Sequence, residues 1–159
     1  MAGGVKIIDQ ALNTTGDVKV GSNLEVSGQT MIRGTIVTGY QPTQATLGDD
    51  TAVVTAANVL TGILQCTPTA DRSKASDTAA NFISGLGLSK DNDSFDFSVV
   101  SLATDGTSHI TLTAGTGVTL VGCMVISAQD LAEDAFTSGV ARFRLARTSS
   151  TAVTLFRIG

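Results

Sequence analysis

The stretch Gly16–Tyr40 reads GDVKVGSNLEVSGQTMIRGTIVTGY. Apolar or β-branched residues come in pairs two apart: Val18 and Val20, Leu24 and Val26, Thr30 and Ile32, Ile36 and Thr38. Each pair starts six residues after the last, and Ser22, Gly28, Gly34 and Tyr40 follow the pairs in turn. Alternation by two is strand geometry, so one face of this ribbon is apolar. Glycine at the third even position permits a bend or a close backbone approach. Short strands that bend at a fixed interval describe a winding, quasi-linear chain.

One chain has difficulty burying such a stripe alone. Two buried side chains per hexad contribute about 3–6 kcal/mol, while fixing six backbones costs about 6–12 kcal/mol. A lone ribbon also leaves both edges unpaired. A single-chain β-helix needs several stacked coils, at roughly three hexads per coil, and this segment supplies little more than one. Three chains wound about a common axis pair each other's edges and bury the stripe. The expectation is an intertwined trimeric β-stem over 16–40, with Val18, Val20, Leu24, Val26, Ile32 and Ile36 on its axis. The plainer alternative is two ordinary strands of a single β-domain.

Outward from the stem, residues 1–15 carry a small apolar cluster at Val5, Ile7 and Ile8, read as an anchoring arm. Residues 41–50 hold Pro42 and the turn signal Gly48-Asp49-Asp50, which reads as a linker. From Thr51 to Gly159 a globular β-domain is expected. Its strands are read at Thr51–Gln65, with Gly62 as a possible bulge, and at Ser94–Leu102, His109–Thr113, Val118–Val121, Met124–Ser127, Val140–Arg147 and Thr151–Ile158. Pro68–Ser76 reads as loop. Asp77 can cap one short helix carrying Ala79, Ala80, Phe82, Ile83 and Leu86, which Gly87 would stop. The fold class is therefore all-β: the stem, then a β-sandwich or jelly-roll-like domain.

Composition supports thin β-layers. Aromatics are 4% of the 159 residues and Trp is absent, so Val, Ala, Thr, Leu and Gly must fill the core. The net charge of −4 argues against general nucleic-acid binding, which depends on cations neutralising phosphates. No run of apolar residues is long enough for a membrane helix, and none at the N-terminus resembles a signal peptide. Cys66 and Cys123 lack metal-ligand or redox spacing and read as buried small hydrophobes rather than a disulfide.

Few residues suggest chemistry. His109 is the only histidine; no nucleophile elbow accompanies it, and a strand-end histidine is the better account. Lys90-Asp91-Asn92-Asp93-Ser94-Phe95-Asp96 gathers oxygen ligands suited to Ca²⁺, yet lacks the glycine and terminal glutamate of a calcium loop. An acidic turn is the preferred reading there, so no metal site and no cofactor is expected. Gly115-Thr116-Gly117 lacks the lysine ending of a phosphate loop and reads as a β-turn. Arg142, Arg144, Arg147 and Arg157 gather near the C-terminus, with Arg142 and Arg144 on one outward strand face, either as a solvated sheet face or as a basic patch forming inter-subunit or capsid-facing salt bridges.

The string Gly21-Ser-Asn-Leu-Glu-Val-Ser-Gly28 resembles the repeating stems of bacteriophage fibre and spike proteins. Thr111-Leu-Thr-Ala-Gly-Thr-Gly-Val118 and the final Ser149–Ile158 strand pattern resemble a small β-domain recurring in structural proteins of phages and large viruses. The resemblance implies a non-enzymatic homotrimer made in the host cytoplasm and placed on the virion surface as a capsid decoration or head-fibre protein. Its partners would be the major capsid protein or another virion protein, with neither nucleic acid nor membrane. The alternative is a tail-fibre or spike component that binds a host receptor or glycan. Tyr40, the only tyrosine, makes a weak case for glycan stacking. The stem reading predicts a molar mass by light scattering near three chains; a stable single chain at micromolar concentration would overturn it.

Overall fold

A computed structural model describes residues 41–130 and 138–159. These belong to the second of the two units into which the chain divides, 39–159. The stem residues Val18, Val20, Leu24, Val26, Ile32 and Ile36, and the arm residues Val5, Ile7 and Ile8, lie outside the described residues.

The described domain is predominantly β. In chain order it has β1 (Ala45–Thr46), α1 (Ala56–Leu60), β2 (Ile63–Cys66), β3 (Arg72–Ala75), α2 (Ala79–Gly85), β4 (Ser94–Ser101), β5 (Ile110–Thr113), β6 (Val118–Val121), β7 (Val125–Ile126), β8 (Val140–Ser149) and β9 (Ala152–Arg157). Six strands form one sheet in the order β1-β2-β4-β8-β9-β6, and three form a second, β3-β5-β7. Both sheets contribute to one apolar cluster: Leu64, Val99, Phe143 and Leu155 come from the first, Ile110, Leu112 and Ile126 from the second.

Strict alternation builds the centre of the larger sheet. In β8, Ala141, Phe143 and Leu145 are fully buried while Val140, Arg142 and Arg144 are exposed. Phe97 of β4 pairs in register with Phe143, and the rings stack at 5.5 Å between centroids. Such cross-strand aromatic pairs add about 0.5–1.5 kcal/mol beyond the area they bury. Here they do so in a core that has few large side chains.

Several sequence expectations need correction. The described residues hold two helices, not one. The apolar run after Thr51 is interrupted by α1, because Thr55 and Asn58 close a reciprocal capping box at its start. Gly62 is the positive-φ turn after that helix rather than a bulge. In α2 the capping side chain is Thr78, which accepts the Asn81 N–H; Asp77 bonds the Ala56 and Thr78 amides beside it. Gly87 does end α2: its φ is +67°, and the Leu88 N–H reaches back to the Ile83 carbonyl. Within Pro68–Ser76, read as loop, lies strand β3. Segment 41–50, read as linker, supplies β1 and the buried Leu47.

Pairing is mixed. β1–β2, β2–β4, β3–β5 and β6–β9 are parallel, whereas β4–β8, β8–β9 and β5–β7 are antiparallel. A jelly roll pairs its strands antiparallel, so the parallel pairs depart from that expectation. Parallel neighbours need a long crossover. Residues 47–62, with α1 in their midst, make the one between β1 and β2.

The Gly115-Thr116-Gly117 turn is a packing joint. Thr116 accepts the Ala79 N–H at the start of α2, and Gly115 N donates to the Ser76 hydroxyl. A Cβ at Gly115 would run into the backbone carbonyls of Ser76 and Asp77, which have no room to yield. Gly115→Ala is therefore expected to cost about 2–3 kcal/mol, read as a lowered urea midpoint. An unchanged midpoint would show that this loop does not wedge between α2 and β3.

Candidate functional site

The outward face of the six-stranded sheet carries the most distinctive surface chemistry. Asp96 on β4 stands opposite Arg144 on β8, and the guanidinium grips both carboxylate oxygens at 2.7 and 2.8 Å. Arg142, two residues along the same face, reaches the same carboxylate at 3.5 Å. Two cations thus share one anion, and among the described residues the face keeps a positive surplus. The Arg144 guanidinium holds the Asp96 carboxyl below the usual carboxylate range, with Arg142 adding to the effect. Around these charges lie aliphatic side chains in contact with solvent: Val140, Val121 and Ile158 are 43%, 44% and 46% exposed.

The four C-terminal arginines do not form one patch. Arg142 and Arg144 share the outward face. Arg147 and Arg157 are in register with Val153 and Phe143, both core residues, so they belong to the inward face. Arg147 is mostly buried, pairs with Asp91 at 3.2 Å and donates to the carbonyls of Leu88 and Ser149. Arg157 donates to the carbonyls of Cys123 and Val125. Met124 gives its carbonyl to Leu112 of β5, so the Val125 carbonyl next to it points to the other edge of β7. Arg157 therefore fastens the second sheet to the first.

The acidic turn divides its carboxylates among three tasks. Asp96 joins the arginines, Asp91 pairs with Arg147, and Asp93 accepts the Lys90 amide and the Ser89 hydroxyl. Asn92 takes the left-handed conformation, φ +73°, that lets the turn close. Among the described residues, no group of three or more His, Cys, Asp or Glu is placed to hold a metal ion. His109 accepts the Ala128 N–H on Nδ1 at 3.1 Å, and its own amide donates to Asp71. Cys66 is buried, as expected, and burial pushes its thiol pKa up. Cys123 is exposed, against expectation, because it follows the positive-φ Gly122 at the surface.

Lys74 escaped the sequence reading. Its side chain is wholly buried, and Nζ donates to the carbonyls of Gly48 and Asp50 and to the Asp50 carboxylate at 3.2 Å. Lysine is rarely buried unless paired, and nothing in Arg72-Ser-Lys-Ala75 marks this one. The role of aspartate as a turn clamp was more legible. Asp50, Asp77 and Asp105 each precede or begin a turn and accept local backbone amides, whereas Asp49 accepts the amide of Thr69, far along the chain.

Compared with known proteins, the chain matches no family model, no curated protein and no solved structure.

These clamps imply an acid limit. Hydrogen bonds from Ser108 and Thr107 hold Asp105 down at about 2. Arg72 holds Asp49 below its usual range, the Ala52 amide does so for Asp50, and the Lys90 amide for Asp93. A carboxyl whose folded pKa is depressed stabilises the fold above its unfolded pKa, near ~3.9. That contribution disappears as pH falls through the folded value. Thermal unfolding followed by circular dichroism should give a Tm that is flat with respect to these groups from pH 7 to about 5 and drops steeply between pH 4 and about 2. A Tm that holds steady down to pH 2 would contradict the clamps.

Proposed function

We propose that the chain is a non-enzymatic structural protein of a virus particle, a homotrimer that decorates the capsid or forms a head fibre. The observation that carries this reading is the period-six apolar stripe from Val18 to Thr38 in the sequence, which is too narrow for one chain to bury and which two further copies would close. Val5, Ile7 and Ile8 anchor the trimer to the major capsid protein or another virion protein. The β-domain, read as a sandwich of its two sheets, stands at the virion surface. Its job is mechanical: it buries apolar area between chains and bridges neighbouring subunits.

The described residues support a mechanical role by how they spend their reactive groups. Aspartates clamp turns or pair with arginines, and the His109 ring holds a backbone amide. The surface left for contact is the arginine-and-aliphatic face of the larger sheet, whose chemistry suits protein partners.

Deleting residues 1–15 should leave trimers intact and abolish binding to the parent particle. Truncated protein that still saturates particles would contradict the anchor. Full-length protein that binds host cells and ignores empty capsids would point instead to a tail-fibre or spike component with a host receptor or glycan as ligand.

A further inference from the structure

The outward face of the six-stranded sheet has the charge pattern of a docking surface. Arg142 and Arg144 are 63% and 50% exposed in their side chains and share the single carboxylate of Asp96. Arg144 already satisfies both oxygens of that carboxylate at short range, so Arg142, at 3.5 Å, has most of its donors unspent. Val140 precedes it by two residues on the same strand face, and Ile158 donates its amide to the Arg142 carbonyl from the next strand. A guanidinium flanked by exposed aliphatics is the composition of an interface centre rather than of a solvated rim.

The complementary charge lies elsewhere on the same chain. Asp71 accepts the His109 amide at 2.9 Å, and Asp105 accepts the adjacent Ser108 amide at 2.8 Å. Both residues are exposed and stand around one turn, and no Lys or Arg among the described residues forms an ion pair with either. Among the other described residues the exposed aspartates are paired: Asp49 with Arg72, Asp50 with Lys74, Asp91 with Arg147. In a molecule of net charge −4, one face with surplus cation and one corner with surplus anion are matched opposites.

We infer that the Arg142/Arg144 face of one copy docks on the Asp71/Asp105 corner of the next. The inference rests on the homotrimer reading, which it deepens by naming the surfaces in contact. A three-fold ring requires this kind of arrangement, since each subunit meets its neighbour through two different patches. The contact is charge-assisted at its centre, with Val140 and Ile158 covering the aliphatic margin. Opposite charges on the two patches also fix which surfaces meet, because like patches repel.

The test replaces Arg142 with an amine that a carbodiimide can join directly to a carboxylate within contact distance. Full-length Arg142→Lys protein is treated with carbodiimide, digested, and its cross-linked peptides are identified by mass spectrometry. The expected result is an interchain product joining position 142 to Asp71 or Asp105, absent from the unsubstituted protein. The intrachain product with Asp96 serves as the internal standard for a reactive amine. If only that intrachain product forms, or if position 142 joins a different carboxylate of the neighbour, the docking surface is wrong. Light scattering on the same sample separates the two ideas. A single-chain mass sinks the trimer reading, whereas a three-chain mass without the expected product sinks only the docking surface.

Discussion

The three-stranded sheet cannot stand by itself, and the described domain is organised around that constraint. Its strands are two to four residues long, and a small sheet leaves edge carbonyls and amides that must find partners or water. Two cations tie it to the larger sheet. Lys74, on β3, gives its ammonium to the carbonyls of Gly48 and Asp50, in the loop that leaves β1 of the larger sheet. Arg157, on β9 of the larger sheet, gives its guanidinium to Cys123 and Val125 at the far edge of β7. The small sheet is thus held at both margins by charge-assisted bonds to backbone oxygens, while Ile110, Leu112 and Ile126 fill its inward face. Bonds to a charged donor contribute more than neutral ones, which suits a core short of aromatic rings.

How legible this was in the sequence depended on whether local pattern and burial agreed. Burial in β4, β8 and β9 follows period two, with Phe97, Val99, Ala141, Phe143, Leu145, Val153 and Leu155 buried, so that period was enough to find these strands. α2 was legible because Phe82 faces the core at helical spacing and Gly87 supplies the left-handed stop. α1 was missed for a physical reason. It has five residues, too few to show a period, and its capping partner is Asn58 where glutamate or glutamine would have signalled a box. β3 was missed because its central buried residue is a lysine. A polarity pattern reads Lys74 as outward, and only the two carbonyls waiting for it make the inward position affordable.

The candidate site shows the same limit. Four arginines were grouped by their nearness in sequence, although period two already set Arg142 and Arg144 on one outward face. Arg142 and Arg144 fall on the outward parity, while Arg147 and Arg157 pair with core residues. Inward arginines are tolerated because they sit at sheet margins, where long side chains carry the charge past apolar neighbours to backbone oxygens. The acidic turn behaved likewise. Its three carboxylates within six residues, read in the sequence as an acidic turn in preference to a cation site, differ in direction, and each meets a separate partner.

Register is therefore what assigns function to these side chains, more than composition. The pairs Asp96 with Arg144, Phe97 with Phe143 and Leu145 with Leu155 all depend on one alignment of β4, β8 and β9. A slip by one residue in β8 would bring Arg142 and Arg144 into the core and put Phe143 and Leu145 in water. The irregularity between Arg147 and Ser149 confines the mismatch to the end of the hairpin, after the last outward arginine. Upstream of it the strict alternation persists, so the hydrophobic cost of misregister protects the charged face along with the core. The surface proposed for contact between copies is in this sense a by-product of core packing. The stacked Phe97–Phe143 pair that anchors the inward side also fixes where the guanidiniums stand on the other.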